Sequence, residues 1–112
     1  MESILTSVKK MLGITEDYTH FDADIIMHIN SVFSTLTQLG VGPSEGFAIE
    51  GADAEWSDFI GDATNLESIK SYIYMKVRLI FDSTSLTAAV ISAYTETIKE
   101  FEWRLNVAAE SK

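Results

Sequence analysis

Residues Thr64–Asp82 read TNLESIKSYIYMKVRLIFD, and the fold is read outward from them. Thr64 and Glu67 stand at capping-box spacing, so each can satisfy a free backbone donor in the first turn of a helix. At about 100° per residue, Leu66, Ile69, Ile73, Val77, Ile80 and Phe81 fall on one face. Tyr72, Met75 and Leu79 form a second apolar strip, roughly opposite. Only the wedge with Glu67, Ser71 and Arg78 is clearly polar. A helix apolar on two sides is either wrapped by its own chain or offers a second face to a partner. In so short a chain one stripe suffices for the core, so the second strip is a first sign of assembly.

Three further helices are expected. Ser3–Leu12 places Ile4, Leu5, Val8, Met11 and Leu12 on one side, with Gly13 as a left-handed stop. Lys9 and Lys10 lie in its last turn, where the helix dipole favours them. Ile14–Tyr18 is a connector. His20–Leu39 is a long amphipathic helix, with Thr19 as its expected N-cap and Asp22 in its first turn. Its apolar face holds Phe21, Ile25, Ile29, Val32, Phe33, Leu36 and Leu39, and Gly40 ends it. The opposite face, with Asn30, Ser31, Ser34, Thr37 and Gln38, has no charge after Asp24. Such a face suits contact with another subunit. Leu86–Val107 is the last helix, capped by Ser85. Leu86, Val90, Tyr94, Phe101 and Leu105 form its stripe, flanked by Ile91 and Ile98. Trp103 points the other way, beside Ala89 and Glu96, as an interface anchor or as a cover for the first helix. Ala108–Lys112 is expected to fray.

Val41–Ala63 is irregular, with four further glycines and the only proline, Pro43. Phe47–Ile49 is expected as a short strand ended by a turn at Gly51–Asp53. Trp56, Phe59 and Ile60 make one helical turn that plugs the core. A connection of this length in a compact domain is often functional. Pro43, Phe47, Ile49, Asp53 and Glu55 are its candidate contact residues. The expected core comprises Ile25, Ile29, Phe33, Leu36, Trp56, Ile69, Ile73, Val77, Ile80, Phe101 and Leu105. The fold class is therefore all-α: one small helical bundle over residues 1–112, with a long glycine-rich loop between its second and third helices.

Composition narrows the function. A chain of 112 residues forms one domain with a modest core. It has no cysteine, which removes disulfides, thiolate zinc sites and cysteine nucleophiles. No apolar run is long enough for a membrane span, and the N-terminus lacks the pattern of an export signal. The net charge is −9, and no Lys or Arg occurs between Lys10 and Lys70. That interval holds Glu16, Asp17, Asp22, Asp24, Glu45, Glu50, Asp53, Glu55, Asp58, Asp62 and Glu67. Such a chain does not bind nucleic acid by neutralising phosphates. It repels nucleic acid, mimics it, meets a basic partner, or is simply kept soluble.

No catalytic or cofactor constellation is present in the sequence. His20 and His28 lack a partner one turn away, and there is no HExxH. Asp53, Glu55 and Asp58 lack EF-hand spacing. No glycine-rich phosphate loop follows a strand, and there is no GxSxG. The expectation is no enzyme, no metal and no cofactor.

Two stretches carry a resemblance. Ile69–Asp82 (IKSYIYMKVRLIFD) and Ile98–Leu105 (IKEFEWRL) resemble the small head–tail connector, or head-completion, proteins of long-tailed bacteriophages. The order of elements fits as well, and the likeness covers nearly the whole chain. It departs from the family pattern after Asp82, where Ser83-Thr84-Ser85 replaces an expected proline-containing turn. The resemblance implies a structural subunit that closes into a ring below the portal, extends the DNA channel and offers a platform to the tail or the next connector. It implies a homo-oligomeric ring, the portal and a further head-completion or tail protein as partners. Genome DNA would pass without specific binding, and no membrane is involved. The location implied is the virion head–tail junction, reached from the host cytoplasm. Tyr72, Met75, Leu79, Arg78, Trp103 and Arg104 are the candidate interface residues. Lys70, Lys76, Arg78 and Arg104 are candidates to pair with carboxylates across subunit boundaries. The alternative is a small acidic inhibitor that mimics DNA or blocks a partner.

Overall fold

The computed structural model describes residues 3–59, 66–81 and 86–110. Within these lie α1 (Ile4–Met11), α2 (Asp22–Gln38), α3 (Trp56–Phe59), α4 (Leu66–Phe81) and α5 (Ala88–Glu110). The fold is a small all-α bundle. Helix α4 packs against both α2 and α5, and α1 closes over α2 and α4. Phe21 at the start of α2 meets Phe81 at the end of α4 edge-on, at 5.3 Å between centroids. Tyr72 reaches Glu102 while Arg78 reaches Tyr94, so α4 and α5 run antiparallel.

Local chemistry explains the helix ends. Ser3 Oγ accepts the Thr6 N–H and starts α1. At its end, Gly13 N–H bonds Lys10 C=O and Ile14 N–H bonds Lys9 C=O, with Gly13 at φ 80°. This is the Schellman arrangement. It recurs after α2, where Gly40 N–H bonds Thr37 C=O and Val41 N–H bonds Leu36 C=O. The start of α2 differs from expectation. Phe21 is the N-cap residue and makes no side-chain cap, while the Thr19 carbonyl takes the Asp22 N–H. Thr87 Oγ1 accepts the Val90 N–H at the start of α5. Thr64, Ser85, Ile60 and the Ser83–Ser85 turn lie outside the described residues.

The core is continuous across the layers. Ile4, Leu5 and Val8 of α1 meet Ile25, Ile29, Val32, Phe33 and Leu36 of α2, and Ile69, Tyr72, Ile73 and Val77 of α4. Ile80 is 49% exposed, against its assignment to this core. In the last turn of α4 the contact with α2 passes to Phe81, about 100° further round. In α5, Ile98 and Leu105 are buried, whereas Val90, Tyr94 and Phe101 are only half-buried, as is Leu86, which precedes the helix. This helix is a lid on one side of α4 and is not surrounded. Helical structure continues to Glu110, past the expected fray. Asn106 Nδ2 bonds the Leu39 carbonyl at 3.3 Å, which ties this end of α5 to the end of α2.

The loop from Val41 to Glu55 forms no strand; its bridge is the isolated pair Ser3 with Glu55. The Ile49 backbone is instead satisfied by one side chain. Its N–H bonds Asn30 Oδ1 at 2.8 Å, and its carbonyl accepts from Asn30 Nδ2 at 2.9 Å. Asn30 therefore does the work of a neighbouring strand. Ile49 is buried, and Phe47 packs on Phe33 and Phe59 at 5.0 and 5.3 Å. Two residues expected to project from the loop are thus turned inward. Apolar side chains on an irregular segment are retained there because the aromatic cluster offers them cover.

Gly42 governs how this loop approaches the cluster. Its φ is +84°, and a Cβ placed there would stand 2.5 Å from Phe59 Cε1. Gly42→Ala imposes a left-handed backbone on a residue with a Cβ and pushes Phe59 out of its seat. The expected cost is about 2–3 kcal/mol, from the sum of backbone strain and overpacking. Urea denaturation measures it. A midpoint equal to wild type would show that Phe59 moves aside freely.

Candidate assembly interface

The second apolar strip of α4 resolves into two parts. Tyr72 and Met75 are 0% and 8% exposed within the protomer. Tyr72 faces α5, which packs along this side of α4. Tyr72 goes inward because its hydroxyl keeps a partner: it donates to Glu102 Oε2 at 2.7 Å. Lys76 Nζ stands 3.4 Å from the same oxygen and 5.5 Å from the Tyr72 ring centroid. Leu79, one turn beyond Met75, is half-buried. The surplus apolar surface expected along α4 is therefore largely covered by the chain itself.

The candidate salt-bridge donors also find partners at home. Lys70 lies over the Trp56 ring at 5.4 Å and 3.8 Å from Glu67. Lys76 has Glu102, and Arg104 pairs with Glu100 one turn away. Arg78 has no carboxylate among the described residues. Its Nη1 donates to Tyr74 Oη at 2.6 Å and to Tyr94 Oη at 3.2 Å. Burial pushes the Tyr74 phenol above its ordinary value, against the opposing hydrogen bond from Arg78.

Besides Ile80 at the end of α4, large apolar side chains stand outside on α5 and α2. Trp103 is 67% exposed. It shares the outer face with Glu96, Lys99, Glu100 and Val107, and Val107 is 40% exposed one turn further on. On α2 the outward residues are Met27, at 58%, with Ser31, Ser34 and Gln38. Every described acid of the cation-free interval except the half-buried Asp22 is exposed. Asp53 and Glu55 are exposed on the loop, with Glu45 and Glu50. An exposed indole flanked by mixed charge on a rigid helix has the form of a protein-binding anchor.

A family model described as phage connector protein matches residues 4–112. The chain belongs to the phage connector family. No curated protein and no solved structure matches it. The connector is thus a structural protein of the bacteriophage head–tail junction, and it interacts with other head or tail proteins. Families of this kind are typically structural. Among its described residues no group of three or more His, Asp or Glu side chains is placed to hold a metal. None of its described helices is long and apolar enough to cross a membrane. Sequence reasoning had placed Trp103 on the outer side of the last helix. It had not found the Arg78–Tyr74–Tyr94 cluster or the Asn30 clamp. The cluster joins residues on two helices, and its one local sign is that Tyr74 and Arg78 are one turn apart.

The connector's Tyr72 yields a pH prediction. Desolvation first, and then its bond to Glu102, push the phenol above its ordinary value near 10. The folded chain keeps this proton where the unfolded chain loses it, so stability falls as pH rises through about 10. Tyr72→Phe removes that share of the alkaline loss. At neutral pH it costs about 1–2 kcal/mol, since a bond to a charged acceptor is lost but Lys76 still faces Glu102. Urea melts at neutral pH and above pH 10 test both parts. An equal alkaline loss in wild type and variant would refute the assignment.

Proposed function

We propose that the protein is one subunit of a closed ring seated below the portal, where it extends the DNA channel and offers a platform to the tail or the next connector. The observation that carries this reading is Trp103, two-thirds exposed on a helix with one buried side. A ring needs two different surfaces per subunit, one for each neighbour. The outer face of α5 supplies one, with Trp103 as its anchor and Arg104 beside it. Leu79 and Arg78 at the α4 edge are further candidates, and Tyr72 and Met75 support the α4–α5 seam from within. Exposed carboxylates over the cation-free interval suit a channel wall past which DNA slides without sticking, because like charges repel. The subunits gather from the host cytoplasm, and the portal and a tail or head-completion protein bind the ring's two ends.

Electron microscopy and sedimentation of the concentrated protein test the reading. Annular particles are expected for wild type, and Trp103→Ser should weaken their formation by about tenfold or more, as hot-spot aromatics do. Its melting temperature should not change, since the side chain leaves no cavity. A monomer at all concentrations, with no affinity for a portal, would overturn the ring. A one-to-one complex with a DNA-binding protein would instead favour the acidic mimic.

A further inference from the structure

In a chain of net charge −9, Arg78 is bonded to neutral groups. Lys9, Lys70, Lys76, Lys99 and Arg104 each have a carboxylate within ion-pair distance. Arg78 has two phenols. Its guanidinium carbon also stands 5.8 and 5.9 Å from the Tyr74 and Tyr94 ring centroids, so the fork is held from two helices. Both phenol oxygens accept from Nη1. The donors left over at the cluster, phenol O–H and further guanidinium N–H groups, meet no carboxylate among the described residues, even with one phenol bonded to the other. A fixed set of donors with no anionic acceptor among the described residues is complementary to an oxyanion. The cluster is half-buried, so its field is less screened than that of a free surface arginine, yet it stays accessible.

The anion has two broad sources, nucleic-acid phosphate or protein carboxylate. The first is disfavoured because the described residues around Arg78 offer no further cation with which to neutralise phosphates. The second is supplied by the chain itself. Glu50 and Asp53 are exposed and have no ion pair among the described residues. Glu50 follows Ile49, whose backbone is pinned on both sides by Asn30, so this carboxylate is presented from a fixed base. Arg78 lies in the last turn of α4, on the side facing α5, and its hydrogen-bond and ring partners among the described residues are Tyr74 and Tyr94, not the Glu50–Asp53 turn. Donor and acceptor sites are therefore different surfaces, which is the requirement for a head-to-tail contact.

We propose that Tyr74, Arg78 and Tyr94 form a carboxylate receptor that takes the Glu50–Asp53 turn of a second copy of this chain. This rests on the ring reading for its partner, but the receptor itself does not depend on it. Charge swaps in the full-length chain, read by sedimentation, test the partner. Arg78→Glu should weaken self-association by about tenfold, the equivalent of one charge-assisted bond. Glu50→Lys with Asp53→Lys should do the same, and all three changes together should restore association. Self-association that Arg78→Glu leaves unchanged overturns the proposal while the ring stands. A wild type that never associates refutes the ring and the second copy as occupant.

The receptor is then judged by NMR. Sodium acetate, against sodium chloride at equal ionic strength, should shift the Arg78 Nε–H resonance saturably. The shift should vanish in the Tyr74→Phe, Tyr94→Phe double variant. No acetate shift, or a shift with inorganic phosphate alone, overturns the receptor. Thermal melts confirm that each variant is folded.

Discussion

Trp56→Ala is expected to cost about 4 kcal/mol, a large share of the 5–15 kcal/mol that holds a domain together. Trp56 is fully buried at the start of α3, a helix of only four residues. Its Nε1 donates to Ser7 Oγ at 2.9 Å, and that hydroxyl donates onward to the Ser3 carbonyl at 2.8 Å. Ile4 N–H bonds the Ala54 carbonyl at 3.0 Å just before it. The indole therefore fills the space under α1, locks the start of that helix to the loop, and seats Lys70 of α4 over its ring. Truncation removes all three and leaves a cavity that a single turn cannot collapse into. Trp56→Phe keeps most of the volume and loses the N–H bond, so about 1–2 kcal/mol is expected. Chemical denaturation gives the values, and Trp fluorescence gives a second check. Trp56→Ala leaves only exposed Trp103, so native emission should shift to the red. A loss below that of Trp56→Phe would show that the indole is not the plug.

Much of this arrangement was legible from local pattern. The apolar stripes of α1, α2 and α4, the glycine stops at Gly13 and Gly40, the Trp56–Phe59 turn and the outward Trp103 all follow from spacing along one element. What escaped depends on partners far apart in sequence. Phe47 and Ile49 look like a strand because β-branched and aromatic residues favour one. Nothing nearby says that Asn30, nineteen positions earlier, will satisfy the Ile49 backbone. Asn30 itself looked like part of a bare polar face. Spacing alone leaves Tyr72 open between a subunit interface and its own chain, because its hydroxyl partner, Glu102, lies thirty positions later on another helix. Ile80 has the right phase for the core, but phase does not say where the neighbouring helix ends. The same limit applies to the site: a helical wheel shows Trp103 facing away, while the Arg78 cluster exists only once α4 and α5 are paired.

Lys9 is the clearest case of a residue whose role changes with context, and it leads to the second large effect. By position it is a last-turn cation favoured by the helix dipole. In the structure its side chain is 3% exposed, with Nζ 2.9 Å from Asp22 Oδ1 and 2.9 Å from the Glu16 carbonyl. It thus binds the end of α1, the connector and the first turn of α2 at one point. The pair is asymmetric, since Asp22 is 26% exposed and sits where the α2 dipole favours a negative charge. Removing the acid strands a fully buried cation, whereas removing the cation leaves one buried oxygen, Asp22 Oδ1, without a partner on an acid that is otherwise partly exposed and lies at a helix N-terminus. Asp22→Ala is therefore expected to cost about 3 kcal/mol, near the lower end for breaking a buried pair. Lys9→Met retains the apolar stem and should cost less, about 2 kcal/mol, from the lost tether and the buried Asp22 oxygen left unsatisfied. High salt should change neither value much, because the ammonium is out of reach of the ionic atmosphere. Urea melts of the two variants at low and high salt decide the matter. If Lys9→Met proves as damaging as Asp22→Ala, or if salt erases the difference, the pair behaves as an ordinary surface bridge, and the junction of α1 and α2 must be held by its apolar contacts alone.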